Sequence, residues 1–475
     1  MMRDFPGLRI SFESLEQLKT SRLIGAAAVW HLLATAMLFL VGRLRLMPGQ
    51  FEENGLGAFA SDGFRYQLQV RYLANLLMHG HGWSWLDAPA QLHVKLYSLS
   101  YTLFSSWAGF NILTIEPINL FYYLVTLVFT FQLAQEIFDR RIALLASLII
   151  ALWPSYLLHT TQLLRDPLLM SAILVLVLAI SLWLTKNLSW HRGLLVGAVA
   201  ILSALVIWIV RIAMWDVARA VVLLGVVLFV IRQLRERRWL KGNTLGAALL
   251  VAAVLLIPQA RMIFQEMTRQ EEKKSAPTST GGGSSGGVSD QEWQQMTFAE
   301  KMHDAPLPLW QRIAAQRQAF VKPQGIYGAM PGSNIDADTQ FHSMTDMILY
   351  LPRAVFVGLF APFPSMWFGA GSQVGTSGRL LSGFEMLLTY LIEILALAGF
   401  WQKRQSLVVW LLALTVGMGA TSLGLIVINI GTLYRVRYPF WMMLTILGAG
   451  GASVVASKVF ARRRAEEVEA TVAVS

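Results

Sequence analysis

Apolar residues in this chain gather in long runs, the pattern of helices that cross a bilayer. Ten runs, near residues 23–41, 117–137, 142–159, 167–184, 193–210, 215–231, 243–260, 380–401, 407–430 and 439–459, each approach the ~20 residues that span a ~30 Å hydrocarbon core. Two further stretches, 94–107 and 344–360, are shorter or are interrupted by Pro352 and an arginine, and predict helices lying at the interface or half inserted. The ~10-residue alternating segments of a transmembrane β-barrel do not dominate anywhere. The first run starts at Arg22, is too long for a signal-peptide core and lacks a convincing cleavage site, so it reads as a retained signal anchor.

Composition agrees with that pattern. Hydrophobic residues make up 55% of the 475 and charged residues 14%, against about 25% charged in a soluble domain. There is no cysteine, which excludes disulfides, thiolate catalysis and cysteine-ligated zinc or iron–sulfur sites. The formal charge of +11 reflects basic cytoplasmic loops rather than a nucleic-acid partner.

The placement of charge sets the orientation. Arg3, Arg9, Lys19 and Arg22 precede the first run. Later basic groups are Arg140 and Arg141, Lys186 and Arg192, "RQLRERRWLK" at 232–241, Lys403 and Arg404, and "ARRRAEE" from Ala461. Ten spans with both termini cytoplasmic put all of these on one side. Counting 344–360 as a full span moves Lys403 and Arg404 outside, so that stretch is read as interfacial.

The expected architecture is an all-α polytopic membrane protein of about ten transmembrane helices. Interfacial helices lie in the first outer loop, and the second outer loop is long. An N-terminal transmembrane module covers 1–260 and contains the first outer loop, 42–116. The long outer loop, 261–343, carries a flexible "TSTGGGSSGG" linker at 278–287 and then an amphipathic helix around 291–319. A C-terminal membrane module with a basic cytoplasmic tail covers 344–475. Neither heptads nor a clear internal repeat is present.

Short exported loops are normally poor in positive charge. Here they carry Arg165, Arg211, Arg435 and Arg437 and no lysine. Arginine grips phosphate or carboxylate with two parallel N–H groups, so four on one face point to an anionic ligand. The plainer alternative pairs each with a nearby acid or a lipid headgroup, Arg211 with Asp216 for example. In "QLLRDPLL" (162–169), Asp166 followed by Pro167 reads as the cap and first residue of a helix, with Arg165 adding charge at that helix N-terminus. In "LYRVRYPF" (433–440), Pro439 opens the last span, and the residues before it are expected to be extended. Extension would set Arg435 and Arg437 on one side, repelling each other unless an anion sits between them.

A lone carboxylate stands in "AFASDGFRYQLQVRYLANLL" (58–77). After Asp62, residues Phe64, Leu68, Tyr72 and Leu76 recur every four positions, with Arg65, Gln67, Gln69 and Arg71 elsewhere around the wheel. That is an amphipathic helix on the outer leaflet. Ser61 or Asp62 then either caps it, with Gly63 for flexibility, or Asp62 does chemistry. Glu52, Glu53, Asp87 and Glu116 share the loop as rival bases. "HGHGW" (79–83) and His93 lack a clear third metal ligand. Asp336 and Asp338 in the long loop are further acids that could approach.

Several stretches together carry a resemblance. They are the outer loop with Asp62, "SYTLFSSWAGFN…EPINLFYYLV", "LAQEIFDRRIALLASLIIALWPS…LLRDPLL", "LFAPFPSMWF…GFEMLLTYLIEILALAGFW" and "YRVRYPFWMML". Over most of 23–459 the chain resembles the GT-C superfamily of membrane glycosyltransferases, among them the dolichyl-phosphate-mannose protein mannosyltransferases and the lipid A aminoarabinose transferase. The resemblance implies a hexosyl- or pentosyltransferase in the bacterial inner membrane, its active site facing the periplasm or exterior. It implies a polyprenyl-phosphate sugar donor and a protein, lipid or envelope-glycan acceptor. Asp62 takes the place of the general base. Arg165, Arg435 and Arg437 take the places of donor-phosphate ligands, with Arg65, Asp166 and Arg211 as additional candidates. Gly63 follows Asp62 where many relatives carry a second acid, so no metal ligand is assigned and a divalent cofactor stays open.

The chemistry suits one carboxylate and several arginines. The acceptor hydroxyl needs a base, and the departing phosphate needs cations but no general acid, whereas a glycosidase needs two carboxylates. Single displacement inverts the anomeric centre. Two other classes stay open: a flippase of lipid-linked saccharides and a polysaccharide polymerase or ligase. A flippase predicts charged residues along an intramembrane path, whereas the charges here are expected to cluster at span ends.

Overall fold

The computed structural model describes residues 20–275, 308–321, 334–368 and 375–474. Among them there are helices and turns, two isolated bridges (Phe51–Gly57 and Asn334–Asn429) and no strand. The first helices are α1 (Thr20–Arg43), α2 (Asp62–Met78), α3 (Gly82–Asp87), α4 (Leu92–Ala108), α5 (Ile112–Gln135), α6 (Arg140–Ala151) and α7 (Pro154–Thr160). There follow α8 (Asp166–Thr185), α9 (Trp190–Val210), α10 (Trp215–Glu236), α11 (Lys241–Ser275) and α12 (Leu309–Val321). The last are α13 (Met344–Phe360), α14 (Gly375–Gln402), α15 (Leu407–Ile426), α16 (Ile430–Val436) and α17 (Tyr438–Val474).

This is an all-α polytopic membrane protein. Nine helices among the described residues are long and apolar enough to cross a bilayer: α1, α5, α8, α9, α10, α11, α14, α15 and α17. The expected span at 142–159 is not straight. It is the pair α6 and α7, bent by 66°. Pro154 has no N–H to continue α6 and instead opens α7, where its fixed φ fits the first turn. Counted as one span, the pair brings the total to ten.

The core is built around α8, which is buried on nearly every side. One hydrophobic cluster joins side chains of both halves of the chain, including Leu174 and Val177 of α8, Leu411 of α15 and Met442 of α17. A second cluster seats α2 and α4 on the start of α5 through Val70, Leu73, Val94, Tyr97, Tyr101 and Ile115.

Helix α2 turns a different face inward from the one its four-residue stripe marks. Tyr66, Val70, Leu73 and Ala74, spaced as one helical face, are buried. Leu68 and Tyr72 of the stripe stay exposed. The helix is therefore apolar on two sides, one for α4 and one turned outward.

The helix expected around 291–319 overlaps α12. Residues 291–307 and the 278–287 linker lie outside the described residues. Glu116, assigned to the first outer loop, lies inside α5 and is buried. Its Oε1 is 2.7 Å from His31 Nδ1, and Thr35 donates to its Oε2 at 2.8 Å.

Lipid offers little hydrophobic drive between helices, so close backbone approach does much of the packing. Gly193 and Gly197 of α9 face Gly242 and Gly246 of α11. A Cβ on Gly246 would stand 2.5 Å from the Gly193 carbonyl oxygen, and one on Gly193 2.0 Å from that of Gly242. Gly246→Leu should therefore lower the melting temperature and the monodisperse yield in detergent, at a cost of about 1–3 kcal/mol or more. Gly417→Ala, where nothing lies within 4 Å, should leave both unchanged. Equal melts for the two variants would refute this packing.

Candidate active site

Four turns of the bundle meet at one end. They precede α2, join α7 to α8, join α9 to α10, and link α15 through α16 to α17. Side-chain contacts bring them together. Arg435 Nη2 donates to Asp62 Oδ2 at 2.8 Å. Arg435 Nε lies 3.8 Å from Asp166 Oδ2. Arg211 Nη1 donates to Asp166 Oδ1 at 3.3 Å.

Each residue is placed by local chemistry. Asn429 Oδ1 accepts from the Thr432 N–H at 2.9 Å and caps α16, which carries Arg435 in its last turn. Gln162 is buried and accepts from the Gly57 N–H at 2.8 Å, tying the approach to α2 to the α7–α8 turn. The start of α2 packs on that turn: a Cβ on Gly63 would stand 3.4 Å from the Leu163 carbonyl oxygen, an ordinary contact distance.

Asp62 opens α2 but caps nothing. No side-chain capping bond is made at Ser61, and the Asp62 side chain is 45% exposed while that of Arg435 is 10% exposed. A half-open carboxylate therefore touches a buried guanidinium. Asp166 also departs from the expected cap. Its carboxylate turns to Arg211 and Arg435, because two guanidiniums at the mouth of the bundle outcompete one backbone N–H. Arg211 pairs with Asp166 and not with Asp216, which is held by Arg219 and Arg312.

The expected extended segment at 433–438 is helical instead. Arg435 and Arg437 consequently do not form a side-by-side pair. Arg437 donates to the carbonyl oxygens of Leu359 (2.6 Å) and Ala361 (2.7 Å) and lies over the Tyr434 ring. It closes the C-terminal end of α13 and stands outside the cluster. Arg165 makes no side-chain hydrogen bond or ion pair among the described residues. Arg65 is exposed, one turn beyond Asp62.

Three guanidiniums thus face two carboxylates, which leaves one positive charge in excess. Burial pulls Arg211 down to about 10, and the neighbouring Arg165 adds to the pull against Asp166. Burial acts on Arg435 in the same direction, but Asp166 and Asp62 outweigh it and raise Arg435 above its ordinary value. Arg435 Nη1 is buried and donates to no protein group among the described residues. The arrangement can receive one further anionic oxygen.

The residues do not fit a divalent cation. Asp62 and Asp166 are each engaged by arginine, and no group of three His, Asp or Glu gathers among the described residues. His79 Nδ1 bonds the Asn75 carbonyl oxygen, while Glu53 is paired with Arg43 and Arg45 on the exposed loop. Asp336 is bound by Arg353 and Tyr350.

One part of the surroundings escaped the sequence reading. Glu385 of α14, buried in the bundle, accepts from the Ser155 N–H (2.7 Å), the Ser155 hydroxyl (2.5 Å) and the Tyr434 hydroxyl. Tyr438 donates to Ser155 Oγ at 2.8 Å and lies 3.2 Å from His159 Nδ1. This network fixes Tyr434, the neighbour of Arg435. An acid inside an apolar run was the available signal. The expectation that charged residues cluster at span ends fails at Glu385 and Glu393, which lie well inside α14.

No family model and no curated protein matches this sequence. Among solved structures, the chain is similar to the archaeal oligosaccharyltransferase AglB from Archaeoglobus fulgidus, determined in complex with an inhibitory peptide and a dolichol-phosphate. The identity is 15%, the TM-score 0.46, and the match covers 92% of this chain and 52% of that one. The chain spans about half the length of that protein. A likeness of this degree assigns no residue a role.

Behind Asp62, the buried His93 ring packs edge-on against Tyr66 with centroids 4.5 Å apart. Burial, aided by Arg165, pushes His93 down to about 3. The unfolded chain takes up this proton near 6.5 and the folded chain only near 3, so unfolding binds a proton throughout that window. The contribution is intact above 6.5 and is lost as pH falls toward 3. Acidifying from about pH 7 to about pH 5 should lower the melting temperature less in His93→Phe than in wild type. Parallel pH profiles would refute it.

Proposed function

We propose that this chain is a GT-C-type membrane glycosyltransferase, moving a sugar from a polyprenyl phosphate to a protein, lipid or envelope-glycan acceptor on the outer face of the membrane. The observation that carries the reading is the half-open Asp62 carboxylate on the buried Arg435, with Arg165 close enough for its charge to act on Asp166 and without a side-chain hydrogen bond or ion pair among the described residues. The resemblance in the sequence supports the same assignment.

In this reading Asp62 takes the proton of the acceptor hydroxyl while its oxygen attacks the anomeric carbon. The bond from that carbon to the phosphate oxygen breaks, and its electron pair stays on the phosphate. Arg435 Nη1 and Arg165 receive the growing charge, and preorganised cations of this kind supply a large share of transition-state stabilisation. The donor phosphate also competes with Asp62 for the same guanidinium. Donor binding therefore frees the carboxylate to act as a base. Asp166 and Arg211 hold Arg435 in place rather than touching the sugar. Arg437 has no part in phosphate binding.

The test is transfer from a panel of radiolabelled polyprenyl-phosphate sugars by purified protein. Asp62→Asn should lose about 10²–10⁴ in rate with its thermal melt retained. Arg165→Ala should mainly raise KM for the donor. Arg437→Ala should lower the melt and leave KM near wild type. Equal rates in wild type and Asp62→Asn would move the base elsewhere. Tight donor binding without turnover would put the flippase reading ahead.

A further inference from the structure

The longest gap between spans, from α11 to α14, contains two described helices, α12 and α13, and the first of them packs at the site's end of the bundle. That helix, α12, carries one of the largest fully enclosed side chains in the protein, Arg317. All five N–H groups of its guanidinium are engaged. Nε donates to the Thr339 carbonyl oxygen at 3.1 Å. Nη1 donates to the carbonyl oxygens of Gly424 (3.2 Å) and Leu425 (2.9 Å), and Nη2 to that of Asp336 (2.7 Å) and to the Tyr350 hydroxyl (3.5 Å). The group also lies over the rings of Phe341 and Tyr350, 5.4 and 5.1 Å from their centroids.

These acceptors are not scattered. Gly424 and Leu425 form the last turn of α15, whose carbonyl groups have no partner further along the helix. The 336–339 turn follows directly on Ile335, whose N–H donates to the Ile428 carbonyl oxygen at 2.9 Å, and on Asn334, which bridges Asn429. Asn429 is the residue that caps α16 and so places Arg435. A second anchor lies one turn earlier on α12, where Arg312 Nη1 is 3.6 Å from Asp216 Oδ2, just after the turn that bears Arg211. One helix therefore spans the two turns that supply two of the site's arginines.

We propose that Arg317 is a positioning residue for Arg435: α12 straps the α15–α16 turn and the α9–α10 turn together, and thereby holds Arg435 against Asp62. Its effect on donor binding rests on the reading of Arg435 as a phosphate ligand. The positioning itself does not. Lysine cannot replace it, because an ammonium has three N–H groups and no planar fork to reach both carbonyl sets.

The absence of cysteine makes the test direct, since two introduced thiols carry the only labels. Spin labels on Ser61→Cys and Gly431→Cys, both exposed positions, report the separation of the Asp62 and Arg435 turns by dipolar EPR. The full-length protein should give one narrow distance distribution. Arg317→Ala, held well below its melting temperature, should broaden or shift it. If that variant does not fold, Arg317→Lys should do the same. An unchanged distribution in a folded Arg317 variant overturns the proposal.

The second arm uses farnesyl phosphate as the probe. Arg317→Ala should raise its Kd about tenfold, the size of one lost charge-assisted hydrogen bond, but by less than about twofold in an Arg435→Ala background. Equal effects in both backgrounds would overturn the coupling to Arg435. A changed label distance with no farnesyl phosphate binding by wild type would uphold the positioning and sink the donor-phosphate reading instead.

Discussion

A guanidinium enclosed at the mouth of a helical bundle has to be neutralised, and that requirement on Arg435 organises this end of the molecule. Asp62 and Asp166 come to it from two different turns, and Arg211 shares Asp166 from a third. Removing one partner of a buried ionic cluster typically costs about 3–5 kcal/mol, because a charge is left without compensation. The turns are therefore not independent loops. They are held in register by one charge balance, which leaves one positive charge in surplus.

The surroundings of Arg435 serve that balance from two directions. Below it, Glu385 holds Tyr434 and Ser155 by hydrogen bonds in the bundle. Above it, Asn429 caps the short helix, and α12 grips the turn before that cap. A seven-residue helix is too short to be stable alone, so its orientation belongs to its neighbours. Arg437 lies two residues away and serves the end of α13, which shows how sharply the helix separates the two arginines.

Asp62 differs from its partners in being half open. Its helix is fastened by an inner face of Tyr66, Val70, Leu73 and Ala74, while Leu68 and Tyr72 face outward. The carboxylate thus sits on a rigid, well-packed element yet stays accessible from outside the bundle.

The class of the fold was legible in the sequence, because a run of about 20 apolar residues has few structures available to it in lipid. Arginines in loops that ordinarily lack them were visible in the sequence, and three of them, Arg165, Arg211 and Arg435, come from turns that meet beside Asp62 and Asp166. Who pairs with whom was not legible. Arg211 had Asp216 five residues away and took Asp166 instead, since burial rewards the partner that three-dimensional packing delivers. The residues before Pro439 were expected to be extended, but the Asn429 cap and the pull of Asp62 and Asp166 on Arg435 accompany a helix. Periodicity and charge are local properties that a sequence states outright. Ion pairing across 373 positions, as between Asp62 and Arg435, exists only once the spans have packed.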